Sequence, residues 1–209
     1  MLITIIDYGM GNSSSIQNIL RKVGYDSVIT SDLEIISNSN FIILPGVGSF
    51  DYGMKKLSNS GIQTILSKKV IKEKTPFLGI CLGMQLLFNT SEEGTANGLG
   101  WLKGNVKKFN NQEDRNLKIP HMGWNYISLK TNNNLFQQNP DNPDRFYFVH
   151  SYYVECQDNE NILTTTNYIN EFVSSVKKDN IYGVQFHPEK SHKFGMFFFK
   201  NLIESHCKC

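Results

Sequence analysis

This chain of 209 residues has no strong charge of either sign, no disulfide framework and no membrane-length apolar run. Its formal net charge of +2 is too small to argue for nucleic acid as a partner. The four cysteines, Cys81, Cys156, Cys207 and Cys209, show no framework spacing, which points to reduced thiols in a cytoplasm. Nothing approaches the roughly 20 apolar residues that cross a bilayer. The opening run Met1-Leu2-Ile3-Thr4-Ile5-Ile6-Asp7 lacks a preceding basic segment and a small-residue cleavage site, so it reads as a first strand and not as a signal peptide. No spacing of His, Cys, Asp and Glu suits a metal, and neither a metal nor another cofactor is expected. His206-Cys207-Lys208-Cys209 reads as a frayed tail. What remains is ordinary apolar and charged content at a length that fills one core, so residues 1–209 read as one domain.

Residues 2–7 form a β-branched run ending in Asp7-Tyr8-Gly9-Met10-Gly11-Asn12, and residues 13–23 have helical spacing. The chain thus opens with a strand, a glycine turn and a helix. Gly9-x-Gly11-x-x-Ser14, with Asp32 about 20 residues on, superficially resembles a dinucleotide fingerprint. Its third glycine is missing, and a tight turn accounts for the other two. Residues 27–30 and 41–44 add strands. The second runs into Pro45-Gly46-Val47-Gly48-Ser49-Phe50, a loop whose backbone N–H groups suit an anion. Residues 51–74 hold one or two amphipathic helices, broken at Gly61. These βα units imply a parallel sheet with helices on both faces and sites at the carboxyl ends of its strands.

The second half changes character. Residues 101–109, 124–130, 145–155, 162–168, 172–177 and 181–186 read as strands with little helix between them. Asparagine-rich joints at 110–116, 132–134 and 139–144 read as loops, and residues 191–205 close the chain as a helix with an aromatic face. The expected fold is α/β, a mixed, mainly parallel central sheet with an antiparallel extension.

The organising stretch is Phe77-Leu78-Gly79-Ile80-Cys81-Leu82-Gly83-Met84-Gln85-Leu86-Leu87-Phe88. A short apolar run turns between two glycines and continues at helical spacing, with Cys81 at the apex. A nucleophile raised on a strand-to-helix turn needs little bulk beside it, and the start of a helix favours the attacking thiolate. Tyr182-Gly183-Val184-Gln185-Phe186-His187-Pro188-Glu189 offers a base and its orienter. In an extended segment residues two apart share a face, so His187 and Glu189 both turn toward the site. The Leu82 N–H and the loop around Val47 supply donors for an oxyanion. Together these specify acyl transfer through a thioester.

At these residues the sequence resembles class I, triad-type glutamine amidotransferases, and more narrowly the glutaminase subunits of imidazole glycerol phosphate synthases. The matching motifs are Asp7 to Asn12, Pro45 to Phe50, Gly79 to Gln85, Pro120-His121-Met122-Gly123-Trp124-Asn125, Phe146-Tyr147-Phe148-Val149-His150-Ser151-Tyr152 and Gly183 to Ser191. The resemblance implies a flavodoxin-like fold, a triad of Cys81, His187 and Glu189, and glutamine held by Gly48, Gln85, Glu93, Ser151 and Tyr152. It implies that the Val47 peptide must turn for its N–H to face the oxyanion. It also implies a (β/α)8 cyclase partner in a heterodimer, which activates a nearly silent subunit and receives its ammonia. Asn12, His121, Trp124, Tyr147 and Lys190 fall at motif positions expected near that interface, although Trp124 also fits a core aromatic. Paralogues with the same motifs serve amidino-sugar synthesis for surface polysaccharide, and the motifs leave both acceptors open, as well as a catalytically idle interaction subunit.

Overall fold

The computed structural model describes residues 1–110, 112, 117–137 and 143–207. The first half holds β1 (Ile3–Ile6), α1 (Ser13–Lys22), β2 (Ser27–Thr30), α2 (Leu33–Ser37), β3 (Phe41–Leu44), α3 (Phe50–Asn59), α4 (Ile62–Leu66), β4 (Phe77–Ile80), α5 (Leu82–Gln85) and β5 (Thr90–Ser91). The second half holds β6 (Gly104–Lys108), β7 (His121–Tyr126), β8 (Ser128–Leu129), β9 (Arg145–His150), β10 (Tyr152–Cys156), β11 (Ile162–Asn167), β12 (Glu171–Lys178), β13 (Ile181–Val184) and α6 (His192–Glu204).

The main sheet runs β2-β1-β3-β4-β13-β12-β10-β6-β5, with β11 on β12 and β8 on β11. β2, β1, β3, β4 and β13 are mutually parallel, and β12, β10 and β6 continue it antiparallel. Strands β1, β3, β4 and β13 are buried along their whole length, as unbroken apolar runs covered on two faces must be. One face packs Ile3, Ile5, Ile43 and Ile80 against α1 and α6 through Ile16, Leu20, Phe198 and Phe199. The other packs Ile6, Ile42 and Leu44 against Ile36, Met54, Leu57 and Leu66 of α2, α3 and α4. The expected mixed α/β fold is therefore present, and no helix among the described residues is long and apolar enough to cross a membrane.

Several elements depart from their sequence reading. Gly61, at φ +73°, does separate α3 from α4, but α4 then widens into a π-helical turn over Ser67–Lys72. The helix after Cys81 stops at Gln85, and the carbonyls of Leu86, Leu87 and Phe88 accept instead from the N–H groups of Leu99, Trp101 and Gly100. Helix α2 was not expected; Asp32 caps it, accepting from the N–H groups of Glu34 (2.8 Å) and Ile35 (3.2 Å). The acidic residue of the incomplete dinucleotide pattern is thus a helix cap. Gly9 and Gly11, at φ +81° and +100°, make the tight turn.

Residues 145–155 do not form one strand. Beside β12 the place is taken by β10, while β9 leaves the sheet and pairs with β7 as a two-stranded ribbon, from His121 opposite His150 to Tyr126 opposite Arg145. The strand over 101–109 shortens to β6, since the Trp101 and Leu102 N–H groups both turn back to the Leu87 carbonyl. The tail is docked as far as His206, whose Nε2 lies 3.1 Å from the Tyr182 hydroxyl and whose ring packs on Phe41. Cys209, most of the 110–116 joint and part of the 139–144 joint lie outside the described residues. Among the described residues no group of three or more His, Cys, Asp or Glu side chains could hold a metal.

Candidate active site

Strand β4 delivers Cys81 to the carboxyl edge of the sheet at φ +54°, ψ −110°, a left-handed conformation that few side chains adopt. The Cys81 N–H donates to Val184 O at 2.7 Å, which ties the elbow to β13. The flanking glycines are required by contact. A Cβ on Gly79 would stand 2.5 Å from Gly83 O, and one on Gly83 would stand 2.0 Å from Leu44 O. The ends of β3 and β4 and the start of α5 close over one another only where neither position carries a side chain.

β13 lies next to β4 and leads into His187, which places the candidate base beside the elbow. His187 Nδ1 is 2.7 Å from Glu189 Oε1, and both side chains are almost wholly buried. The route differs from the strand alternation expected of the sequence. Pro188–Lys190 is a 3₁₀ turn with proline at its first position, and that turn folds Glu189 back onto the imidazole. Glu189 holds Nδ1, so Nε2 is the nitrogen left for Cys81; it has no other hydrogen-bond partner among the described residues. Burial opposes protonation of His187, but Cys81 and Glu189, through hydrogen bonding and charge, outweigh it and push the ring up to about 10.

The anion loop stands with its Val47 peptide unturned. The Leu82 N–H donates to Gly46 O at 3.3 Å, so this candidate oxyanion donor is satisfied inside the fold. The C=O and N–H of a trans peptide point opposite ways, and the Gly46 carbonyl shares its peptide with the Val47 N–H. That second candidate therefore points away from the elbow.

Cys81 opens onto a cavity of about 580 Å³ whose walls include Val47, Gly48, Leu82, Gln85, Glu93, Ser151 and Tyr152. All seven were singled out in the sequence, and the sheet brings them together around the thiol. Ser49, Pro120, Val149 and His150 complete the lining. Glu93 Oε2 accepts from the Phe50 N–H at 2.8 Å. Gln85 Nε2 donates to Tyr152 O at 3.1 Å and to Gln185 Oε1 at 3.0 Å, which leaves only its Oε1 for a ligand. Gln185 was not among the sequence candidates. Its signal was its place two residues before His187 at the end of a strand, the spacing that puts two side chains on one face.

The interface candidates divide. Trp124 is 42% exposed and lies flat on His192 with ring centroids 5.6 Å apart, so it is not a core aromatic. Met122 and Tyr126, two residues to either side on β7, are 62% and 54% exposed. Lys190 is exposed, with its ammonium 5.6 Å from the half-buried Tyr147 ring. Asn12 is exposed and caps α1 by accepting from the Ser15 N–H at 3.3 Å. His121, by contrast, is buried and stacks between Phe148 and Tyr168, so it presents no surface to a partner. The ribbon touches the base directly, since the His187 N–H donates to Tyr147 O at 2.8 Å.

His121 instead belongs to a polar chain. His150 Nδ1 is 2.8 Å from Tyr152 O, His150 Nε2 is 3.0 Å from His121 Nδ1, and His121 Nε2 is 3.2 Å from Asn125 Nδ2. A carbonyl only accepts, so both rings are neutral and carry their proton on Nδ1. Burial lowers His121 to about 4 and His150 to about 3 from an ordinary 6.5. The unfolded chain therefore binds more protons than the folded one as pH falls below 6.5, and stability must fall with it. His187, shifted the other way, contributes nothing in that window. Urea unfolding at pH 6.5 and pH 5.0 should show a loss of about 1.5 kcal/mol per histidine; equal stabilities would contradict the neutral pair.

The description of the glutamine amidotransferase class-I family matches residues 4–204. The chain belongs to that family. Among curated proteins this amidotransferase is similar to imidazole glycerol phosphate synthase subunit HisH 2 of Methanococcus maripaludis, at 58% identity over 97% of this chain and 99% of that one. It is 45% identical to the HisH subunit of Leptospira borgpetersenii, over 96% and 98% of the two chains. It is 44% identical to HisH 2 of Pseudomonas aeruginosa, over 97% and 99%. Among solved structures the amidotransferase fold is shared with PurLQS from Thermotoga maritima (TM-score 0.71, 18% identity, 98% of each chain). It is shared equally with a glutamine amidotransferase at TM-score 0.72, 15% identity and 97% and 98% of the two chains.

Proposed function

We propose that residues 1–209 act as one cytoplasmic glutaminase domain, the ammonia-producing subunit of an imidazole glycerol phosphate synthase, with Cys81, His187 and Glu189 as its triad. The observation that carries the chemistry is the single cavity that gathers Cys81 with Gly48, Gln85, Glu93, Ser151 and Tyr152, beside the His187–Glu189 pair. Near-full-length relatives named as HisH subunits of that synthase support the pathway.

The Cys81 sulfur attacks the carboxamide carbon of glutamine, and the charge collects on the carboxamide oxygen. His187 gives its Nε2 proton to the leaving nitrogen, which departs as ammonia and leaves a thioester. Water then surrenders a proton to Nε2 while its oxygen attacks the thioester carbon, and glutamate leaves as the sulfur is released. Glu189 keeps Nδ1 occupied throughout, so Nε2 does both transfers.

The oxyanion needs the donors that the Gly46–Val47 peptide withholds. Turning that one peptide over frees the Leu82 N–H and brings the Val47 N–H round together. The turn changes ψ of Gly46 and φ of Val47, and Gly46 is the one of the two with the conformational freedom to absorb it. A partner that favours the turned state activates the subunit by its differential affinity for the two states. The exposed Met122, Trp124 and Tyr126, with Asn12, Tyr147 and Lys190 nearby in the fold, suit a (β/α)8 cyclase subunit docked beside the cavity and receiving its ammonia.

A chloromethyl ketone analogue of glutamine tests the site. It should alkylate Cys81 with loss of chloride, should spare Cys156 and Cys207, and should be blocked by glutamine. Labelling of Cys156 or Cys207 instead, or no protection by glutamine, would overturn the assignment of the cavity.

A further inference from the structure

Gln185 is fully buried and follows β13 at the point where Cys81 docks. Its Nε2 lies 3.6 Å from Cys81 Sγ, and its Oε1 accepts from Gln85 Nε2. The orientation of both amides follows from one fixed group. Tyr152 O can only accept, so Gln85 must turn its Nε2 toward it. That same nitrogen then meets Gln185, which must answer with Oε1, and Gln185 Nε2 is left aimed at the sulfur. His150 Nδ1–H, also on Tyr152 O, pins the carbonyl from the other side.

The sulfur has need of such a donor. Beyond the His187 ring, which acts on it through hydrogen bonding and charge, its other polar contact, Val149 O at 4.0 Å, is an acceptor and serves only the neutral thiol. The Leu82 N–H is engaged with Gly46 O. A charge formed on a buried group without donors is costly, and hydrogen bonds to charged groups are among the stronger ones.

We propose that Gln185 is a fixed hydrogen-bond donor to the Cys81 sulfur, held in aim by Gln85, and that it stabilises the thiolate before attack and again when the thioester breaks. The inference rests on the reading of Cys81 as the nucleophile. In this arrangement Gln85 is a positioning residue as well as a wall of the cavity, and Gln185 touches the reacting atom without lining the substrate's space.

The test is the pH dependence of iodoacetamide alkylation at Cys81, followed by mass at the Cys81 peptide in the full-length chain. In Gln185→Leu the rate at pH 7 should fall about ten-fold or more, and its pH profile should move up by about one unit or more. Gln85→Leu frees the Gln185 amide to rotate and should move the profile the same way by less. In the partner complex Gln185→Leu should lower kcat while KM for glutamine stays within about two-fold. An unmoved profile in folded Gln185→Leu overturns the inference even if activity is lost, because loss without the shift is a structural effect. Should Gln185→Leu fail to fold, an unmoved profile in Gln85→Leu decides against it. Glutamate release retained by Cys81→Ala would instead remove the nucleophile reading beneath it.

Discussion

Cys81→Ala should lower glutamate release by about 10⁴-fold or more, in the complex as well as alone, because covalent catalysis has no second route when its nucleophile is gone. The loss should be confined to chemistry. Cys81 is buried at the elbow, whereas Met122, Trp124 and Tyr126 of the ribbon are exposed, so affinity for a partner should stay within about two-fold. Alanine keeps the backbone that φ +54° demands about as well as cysteine does, and the lost sulfur leaves a small void worth about 1 kcal/mol. Paired measurements of glutamate release and partner binding separate the effects. Retained release would remove the triad from the account. Lost binding alongside lost release would mean that Cys81 matters for architecture.

Gly83→Ala should be among the most damaging single methyl groups that can be added near the site. Its Cβ would stand 2.0 Å from the Leu44 carbonyl oxygen, a backbone atom at the end of β3 that has no rotamer to change. Either α5 lifts away from the sheet or the end of β3 is pushed aside, and both carry Leu82 and Cys81 with them. Unfolding free energy should fall by about 3 kcal/mol or more. Activity should drop at least about 10²-fold, the cost of misplacing a reacting group by about an ångström. Urea unfolding and glutamate release from the same preparation check this. A variant that keeps both would show that the elbow is not held by glycine-close packing.

What could be read from the sequence was local. The strand, turn and helix around Cys81 carry their signal within a dozen residues; Gly79 is dictated by the Gly83 carbonyl four residues on, although Gly83 itself is dictated by the more distant Leu44 carbonyl. The buried parallel core shows as apolar runs such as Phe41–Leu44 for the same reason. What escaped depends on partners far along the chain. Nothing within residues 145–155 shows that β9 departs to pair with β7 while β10 stays beside β12. The aim of Gln185 likewise follows from contacts with Cys81, Gln85 and Tyr152, none of them neighbours in sequence, and the 3₁₀ turn that folds Glu189 back is tied through Ser191 to the distant Tyr147. The oxyanion donors were named from their position after the nucleophile and in the glycine loop. Position alone could not show that the Gly46 carbonyl occupies one of them and carries the other on its own peptide.

That withheld pair of donors is the centre of the account. Its most direct test is the rate of glutamate release by the purified chain alone, and then with a histidine-pathway cyclase and that cyclase's nucleotide-like substrate. A response only to the barrel of an amidino-sugar pathway would leave the chemistry standing and change the acceptor. Losing one oxyanion donor costs about 10²–10³ in kcat, so the free subunit should be nearly silent and the complex at least about 10²-fold faster. A free subunit already turning over at the rate of the complex would contradict the account, because the Gly46–Val47 peptide would then gate nothing.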